Sequence, residues 1–216
     1  TSALMLAAQN GHTATLQALL QAGANPNATG PGGTTALMCA ALQGHTAALK
    51  LLLRRSANPD PVDEQGRNAA SLATHHGHQQ TATALREHGL HCAASNGNLQ
   101  KVHALLAPMD FDIDAIDAQG MSALMLAAQG GHANIVQALL QRGAKPAQTD
   151  NRGMSALLLA AQKKHTAVVK LLDVNGATNH RGWTPLMQCV DKADADLVQR
   201  LLRRKPNVNH VSTCGW

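Results

Sequence analysis

One octapeptide, Ser-Ala-Leu-Met-Leu-Ala-Ala-Gln, stands at residues 2–9 and returns unchanged at residues 122–129, with weaker copies between and beyond. Aligning the copies places Gly33, Gly66, Gly120, Gly153, Gly182 and Gly215 at one position, at successive spacings of 33, 54, 33, 29 and 33 residues. A unit of this size is one supersecondary element, too small to bury its own apolar face, so it must stack on its neighbours and share a core with them. The chain is thereby restricted to a solenoid before any single side chain is interpreted.

The order of elements within a unit is readable. A small polar residue suited to a helix N-cap (Thr35, Ser122, Ser155, Thr184) opens a short alanine-rich segment, and Pro185 suits the first position of its helix. A Gly-His pair follows at residues 11–12, 44–45, 77–78 and 131–132, and then a second segment whose aliphatics recur at i, i+3 and i+4. Leu16/Leu19/Leu20, Leu49/Leu52/Leu53, Val102/Leu105/Leu106, Val136/Leu139/Leu140 and Val198/Leu201/Leu202 form that stripe. Gly23, Gly89 and Gly143 stand where a left-handed C-cap would end the second helix, ahead of a long polar turn. The predicted unit is helix, tight turn, helix, long turn.

The segments DNRGMSALLLAAQKKH (150–165), DAQGMSALMLAAQGGH (117–132) and HRGWTPLMQCV (180–190) resemble the ankyrin-repeat unit, which runs roughly D-x-x-G-x-T-P-L-x-x-A-A-x-x-G-H. The resemblance covers essentially the whole chain in seven units, 1–33, 34–66, 67–89, 90–120, 121–153, 154–182 and 183–215. It departs where Ala, or Asn68-Ala69, replaces Thr-Pro, and where Met or Leu replaces the family's frequent histidine. It implies an all-α ankyrin-repeat solenoid of stacked helix-turn-helix units joined by hairpin-like long turns, one domain over residues 1–216. It also implies a non-enzymatic protein–protein interaction scaffold that uses its concave groove. Two rival functions stand beside this one: a structural subunit of a large cytoskeletal or ciliary assembly, and a targeting or substrate-docking module of a multidomain enzyme.

Two spacings break phase. Ala73 to Ala93 is 20 residues and Ala160 to Cys189 is 29, so either the protein carries real deletions or a loop after Gly89 and a shorter one near Leu172 are absent from the sequence; the second is the expectation, with Asp173 opening an ordinary post-helix turn. The chain starts at an inner helix and stops at Gly215-Trp216, where another unit would begin. Part of a longer polypeptide or assembly is therefore expected.

Composition narrows the chemistry. Hydrophobic residues make up 44% of the chain, yet there are one Phe, two Trp and no Tyr, so the core is leucine and alanine. Charged residues are 14%, below the roughly 25% usual in globular domains. There is no apolar run of membrane-spanning length. Cys39, Cys92, Cys189 and Cys214 share no C-x-x-C spacing and read as reduced thiols, buried for the first three. They point to the cytoplasm, with nuclear or cytoskeletal and ciliary locations as alternatives. The net charge of +5 comes largely from cations at second-helix ends, where they favour the helix dipole, without stacking aromatics between them. That pattern disfavours nucleic acid and favours an acidic protein surface.

His12, His45, His78, His132 and His165 recur at one repeat position, where a structural hydrogen bond at the helix–helix turn is expected. The cluster His75-His76-Gly77-His78 lacks the paired spacing of a structural zinc site. No metal or cofactor is expected. The only glutamates are Glu64 and Glu87, and no nucleophile elbow, zincin helix or phosphate-cradling loop is present, so no catalytic residue is assigned. Asn27-Ala28-Thr29 matches a glycosylation acceptor by chance.

Partner choice should reside on positions that packing leaves free. The residue after the aligned glycine is Thr34, Arg67, Met121, Met154, Trp183 and Trp216 in turn. The expectation is an apolar stripe of Met121, Met154, Trp183 and Trp216, rimmed by Arg152, Arg181 and Lys163, with Arg67 at the same register of an earlier unit and His75 and His76 on the inner face as further contacts. Such a stripe would hold a partner with an acidic or amphipathic segment.

Overall fold

The computed structural model describes residues 1–107, 112–172, 183, 184, 186, 187, 190, 195–202, 208 and 209. Its helices come in antiparallel pairs. The inner helices are α1 (Ala3–Gln9), α3 (Ala36–Leu42), α5 (Ala69–His75), α8 (Ala123–Gly130) and α10 (Ala156–Gln162). The outer ones are α2 (Thr13–Gln21), α4 (Thr46–Arg54), α7 (Leu99–Leu106), α9 (Ala133–Gln141) and α11 (Thr166–Leu171). Between them in chain order stands α6 (Gln79–Ser95), and α12 (Ala195–Leu202) follows α11.

The helices begin where their side chains can satisfy orphan N–H groups. Ser2, Thr35, Asn68, Ser122 and Ser155 each accept a hydrogen bond from the N–H three residues on, the N-cap geometry that stabilises a first turn by about 1 kcal/mol. Thr184 does the same for Met187 at 3.3 Å. The turn between paired helices passes through a left-handed residue, glycine at positions 11, 44, 77, 97 and 131 and Lys164 (φ 64°) in the sixth unit.

The alanine pairs are buried because inner helix packs on inner helix, α1 on α3 on α5, and α8 on α10. Ala8, Ala40, Ala41, Ala127, Ala128 and Ala160 are fully enclosed; only a methyl fits at that separation. Leu16, Leu49, Leu52, Val102, Val136 and Leu139 of the outer stripe are equally enclosed.

The chain groups into two compact units, Thr1–Gly89 and Leu90–Trp216, each with its own apolar core. The boundary falls where the repeat spacing is shortest. Gly23 and Gly143 end their helices with φ of 89° and 86° as expected, but Gly89 does not. It is buried inside α6, which runs unbroken through Gly89 and Leu90. Without a turn's worth of residues between the outer helix and the next inner one, the backbone continues its helical hydrogen bonding and the two helices become one. The second short spacing falls on Asp173, outside the described residues.

Candidate partner-binding groove

The long turns are built by one aspartate each. Asp117 Oδ1 accepts from the N–H groups of Gln119 and Met121 at 2.9 and 2.8 Å, and Asp150 Oδ1 from those of Arg152 and Met154 at 2.9 and 2.7 Å. Asp63 holds Gln65 and Arg67 in the same way. The glycine then takes a positive φ, 74° at Gly66, 77° at Gly120 and 71° at Gly153, and the chain doubles back, bridging Ile116 to Ser122 and Thr149 to Ser155. Gly30 replaces the aspartate in the first repeat, and a short 3-10 turn, Pro31–Gly33, closes that tip instead.

Neighbouring tips are tied to each other. Asn151 donates its main-chain N–H to Gln119 O at 3.1 Å and its side-chain amide to Ala118 O at 3.2 Å. Glu64 N–H does the same to Gly32 O at 3.0 Å. Within each unit neighbouring turns are thus hydrogen-bonded beside the inner helices, and in the second unit the space between turns and helices is a groove of about 540 Å³. Met121 and Leu126 form its floor, and Asp117, Gln119, Gln129, Asn151 and Arg152 its walls.

The groove's acids are already committed. Asp150 is almost wholly enclosed and receives the Arg152 Nε and Nη2 on Oδ2 at 3.1 and 2.9 Å, while Arg152 itself projects outward. In the first unit, Asp63 shows the electrostatic consequence of such a turn. Its carboxyl is held below the ordinary range, first by the Arg67 main-chain N–H, with the Arg67 guanidinium and the Gln65 N–H adding to it and partial burial opposing.

The apolar stripe expected after the aligned glycines is corrected at two of its members. Met121 and Met154 are only 5% and 8% exposed. The aspartate that grips their main-chain N–H folds the side chain under the turn and against the helices, so both pack the stack, and Met121 shows only an edge to the groove. Trp183 is half-buried, and Arg67, Arg152, Lys163, His75 and His76 are exposed. Trp216 and Arg181 lie outside the described residues. Cys92 is exposed and Cys39 half-buried, against the expectation that both were interior. Partial burial raises the Cys39 thiol pKa.

The recurrent histidines make the expected bond, and the partner is specific. The Nε2 atoms of His45, His78, His132 and His165 lie 3.0 Å from the carbonyl oxygens of Gln9, Leu42, Ser95 and Gln129, at the end of the preceding inner helix. A carbonyl only accepts, so Nε2 carries the proton. The ring rests on the turn glycine of the preceding unit: a Cβ on Gly11, Gly44 or Gly131 would come within 2.7, 2.5 or 2.6 Å of it. No group of three His, Cys, Asp or Glu side chains among the described residues could hold a metal ion.

Paired short helices, turns stacked along one edge and an open groove define a helical-repeat interaction solenoid. The chain belongs to the ankyrin-repeat family: the family model described as ankyrin repeats (3 copies) matches residues 4–92, 86–150 and 144–212. That fold is a non-catalytic scaffold typical of protein–protein interaction. A search of curated proteins gives no match. Among the described residues no helix is long and apolar enough to cross a membrane.

Proposed function

We propose that this chain is a non-enzymatic scaffold that binds another protein on the face made by its stacked turns and inner helices. The observation that carries this reading is the groove between the 117–121 and 150–154 turns, a preformed concavity with an apolar floor and polar walls. Arg152 and Lys163, exposed beside it or one unit on, suit a partner with an acidic or amphipathic segment. Trp183, Arg67, His75 and His76 are proposed as further partner contacts from their repeat positions and their exposure, and Trp216 and Arg181 from the repeat pattern alone. The cytoplasm is the proposed setting, within a larger chain or assembly.

A photo-crosslinking residue introduced at Gln119, on the groove, and separately at Gln137, on an outer helix, distinguishes the readings. A scaffold gripping one partner gives crosslinks from Gln119 and none from Gln137. A structural subunit embedded in a large assembly gives crosslinks from both. The partner so identified then tests Trp183→Ala, expected to weaken binding by about 2 kcal/mol with helical content kept, as truncation of a buried anchor does.

A further inference from the structure

We infer that the groove between the 117–121 and 150–154 turns takes an extended, acidic protein segment, seated by side-chain amides and held by Arg152 and the paired lysines of the sixth unit. This rests on the scaffold reading above and names the chemistry of its ligand. Three observations lead to it.

The first is the lining. No hydrogen bond among the described residues engages the side-chain amides of Gln119 and Gln129, although both face the groove. An amide offers a donor pair and an acceptor together. A helix has already satisfied its own main-chain groups and gains nothing from such walls, whereas an extended segment carries an unpaired N–H and C=O at every residue. Size agrees with that choice, since a helix is 10–12 Å across with its side chains, and about 540 Å³ holds little more than one turn of it.

The second is charge. The carboxylates that border the groove, Asp117 and Asp150, are spent on turn N–H groups, and Asp150 also on Arg152. What projects is positive. Asp150 pins Arg152 from behind while its side chain stays 67% exposed, so this cation is pre-oriented and loses little freedom on binding. One unit on, Lys163 and Lys164 are both exposed and make no ion pair among the described residues. The bond from His165 Nε2 to Gln129 O brings their corner against the groove's end of α8.

The third is contrast within the chain. The corner that carries Lys163-Lys164 is Asn10-Gly11, Gln43-Gly44, His76-Gly77, Asn96-Gly97 and Gly130-Gly131 in the five units before it, none with a lysine, and Lys192-Ala193, with a single lysine, in the unit after it. Lys164 even occupies a left-handed backbone position that glycine fills in those five earlier units, a placement that strains a side-chain-bearing residue. A pair of adjacent lysines thus stands, among the described residues, beside a groove whose acids are neutralised.

The test uses the whole chain and three labelled probes in fluorescence anisotropy: a flexible twelve-residue peptide of Glu, Leu and Ser, the same peptide with Lys for Glu, and a twelve-nucleotide single strand of thymidines. The Glu peptide is expected to bind, and the Lys peptide at least tenfold more weakly. Lys163→Glu and Arg152→Gln are each expected to reduce affinity for the Glu peptide about tenfold, the size of one charge-assisted contact, and adding salt should weaken it. Arg152→Gln leaves both main-chain bonds to Asp150 in place, and circular dichroism checks that each variant is folded. No Glu-peptide binding at millimolar concentration, equal binding of the Lys peptide, tighter binding of the oligonucleotide, or unchanged affinity in both folded variants would each overturn the inference. If any of these results comes with crosslinks from Gln119, only the acidic-segment inference falls; if Gln119 gives none, the groove reading falls with it.

Discussion

The same eight residues occupy two places in this molecule and meet different fates. At residues 2–9 and at 122–129 the octapeptide forms the same short helix with the same serine cap, Ser2 Oγ accepting from Met5 N–H at 3.2 Å and Ser122 Oγ from Met125 N–H at 3.4 Å. Yet Leu6 is 50% exposed, while Leu126 is half-buried and floors a groove. Ala3 is exposed and Ala123 is enclosed. The difference lies in the neighbours. Ser122 is bridged to Ile116 across a closed turn, α8 packs on α10, and His132 ties the turn after α8 to Ser95, whereas α1 packs chiefly on α2 and α3. An identical sequence therefore specifies the helix and its cap, but adjacent units specify how much of it is core.

The largest test of that contrast is overpacking. Ala128→Leu should cost roughly 1 to 3 kcal/mol, because it forces a larger side chain between inner helices already in contact, and Ala8→Leu should cost less. Both alanines are fully enclosed, so urea unfolding midpoints that fall equally would break the idea that neighbours on both sides set tolerance.

Glycine substitutions come next. Gly131 (φ 76°) would place a Cβ 2.6 Å from the His165 ring, whereas Gly77 (φ 74°) would meet nothing within 4 Å. Gly77→Ala should therefore cost only the left-handed strain, about 1 kcal/mol, and Gly131→Ala about twice that. Equal losses in thermal unfolding would show that backbone strain alone accounts for both.

Removing the ring sharpens the same point. His165→Ala should cost about 1 kcal/mol for the bond to Gln129 O, and the double change with Gly131→Ala should cost less than the sum, because the clash has gone. An additive pair in a double-mutant cycle would contradict the ring's placement on Gly131.

The smallest effect is electrostatic. Because the folded-state pKa of Asp63 is depressed, its contribution to stability is fully present above the unfolded value near 4 and is lost as pH falls through the lower folded value. Asp63→Asn should accordingly flatten the acid limb of a plot of Tm against pH. A variant whose acid limb matches the parent's would show that the turn does not depend on that charge.

Much of this was legible because a period lets each copy check the others. The caps at Thr35, Ser122, Ser155 and Thr184, the outer-helix leucines and the histidine bonds all follow from residue types that recur in phase, each with a local physical cause. What escaped was whatever depends on how the chain turns back. Met121 and Met154 look like surface anchors after a turn glycine, but the bonds from Asp117 and Asp150 rotate them inward. Gly89 looks like a helix stop, but a stop needs residues to turn with, and α6 runs through it. Gln119 and Gln129 carry no signal in a chain whose polar surface is rich in glutamine.

The sequence by itself determined the unit, its stacking and the absence of any recognisable catalytic motif, because those rest on spacing and on bonds within a few residues. Only the tertiary structure decided which side chains line a groove and which are core. Burial and charge at those positions are set by groups one repeat away: Asn151 against Gln119, His165 against Gln129, and Lys163 at the end of α10. Their proximity is a property of the stack, and no single repeat contains it.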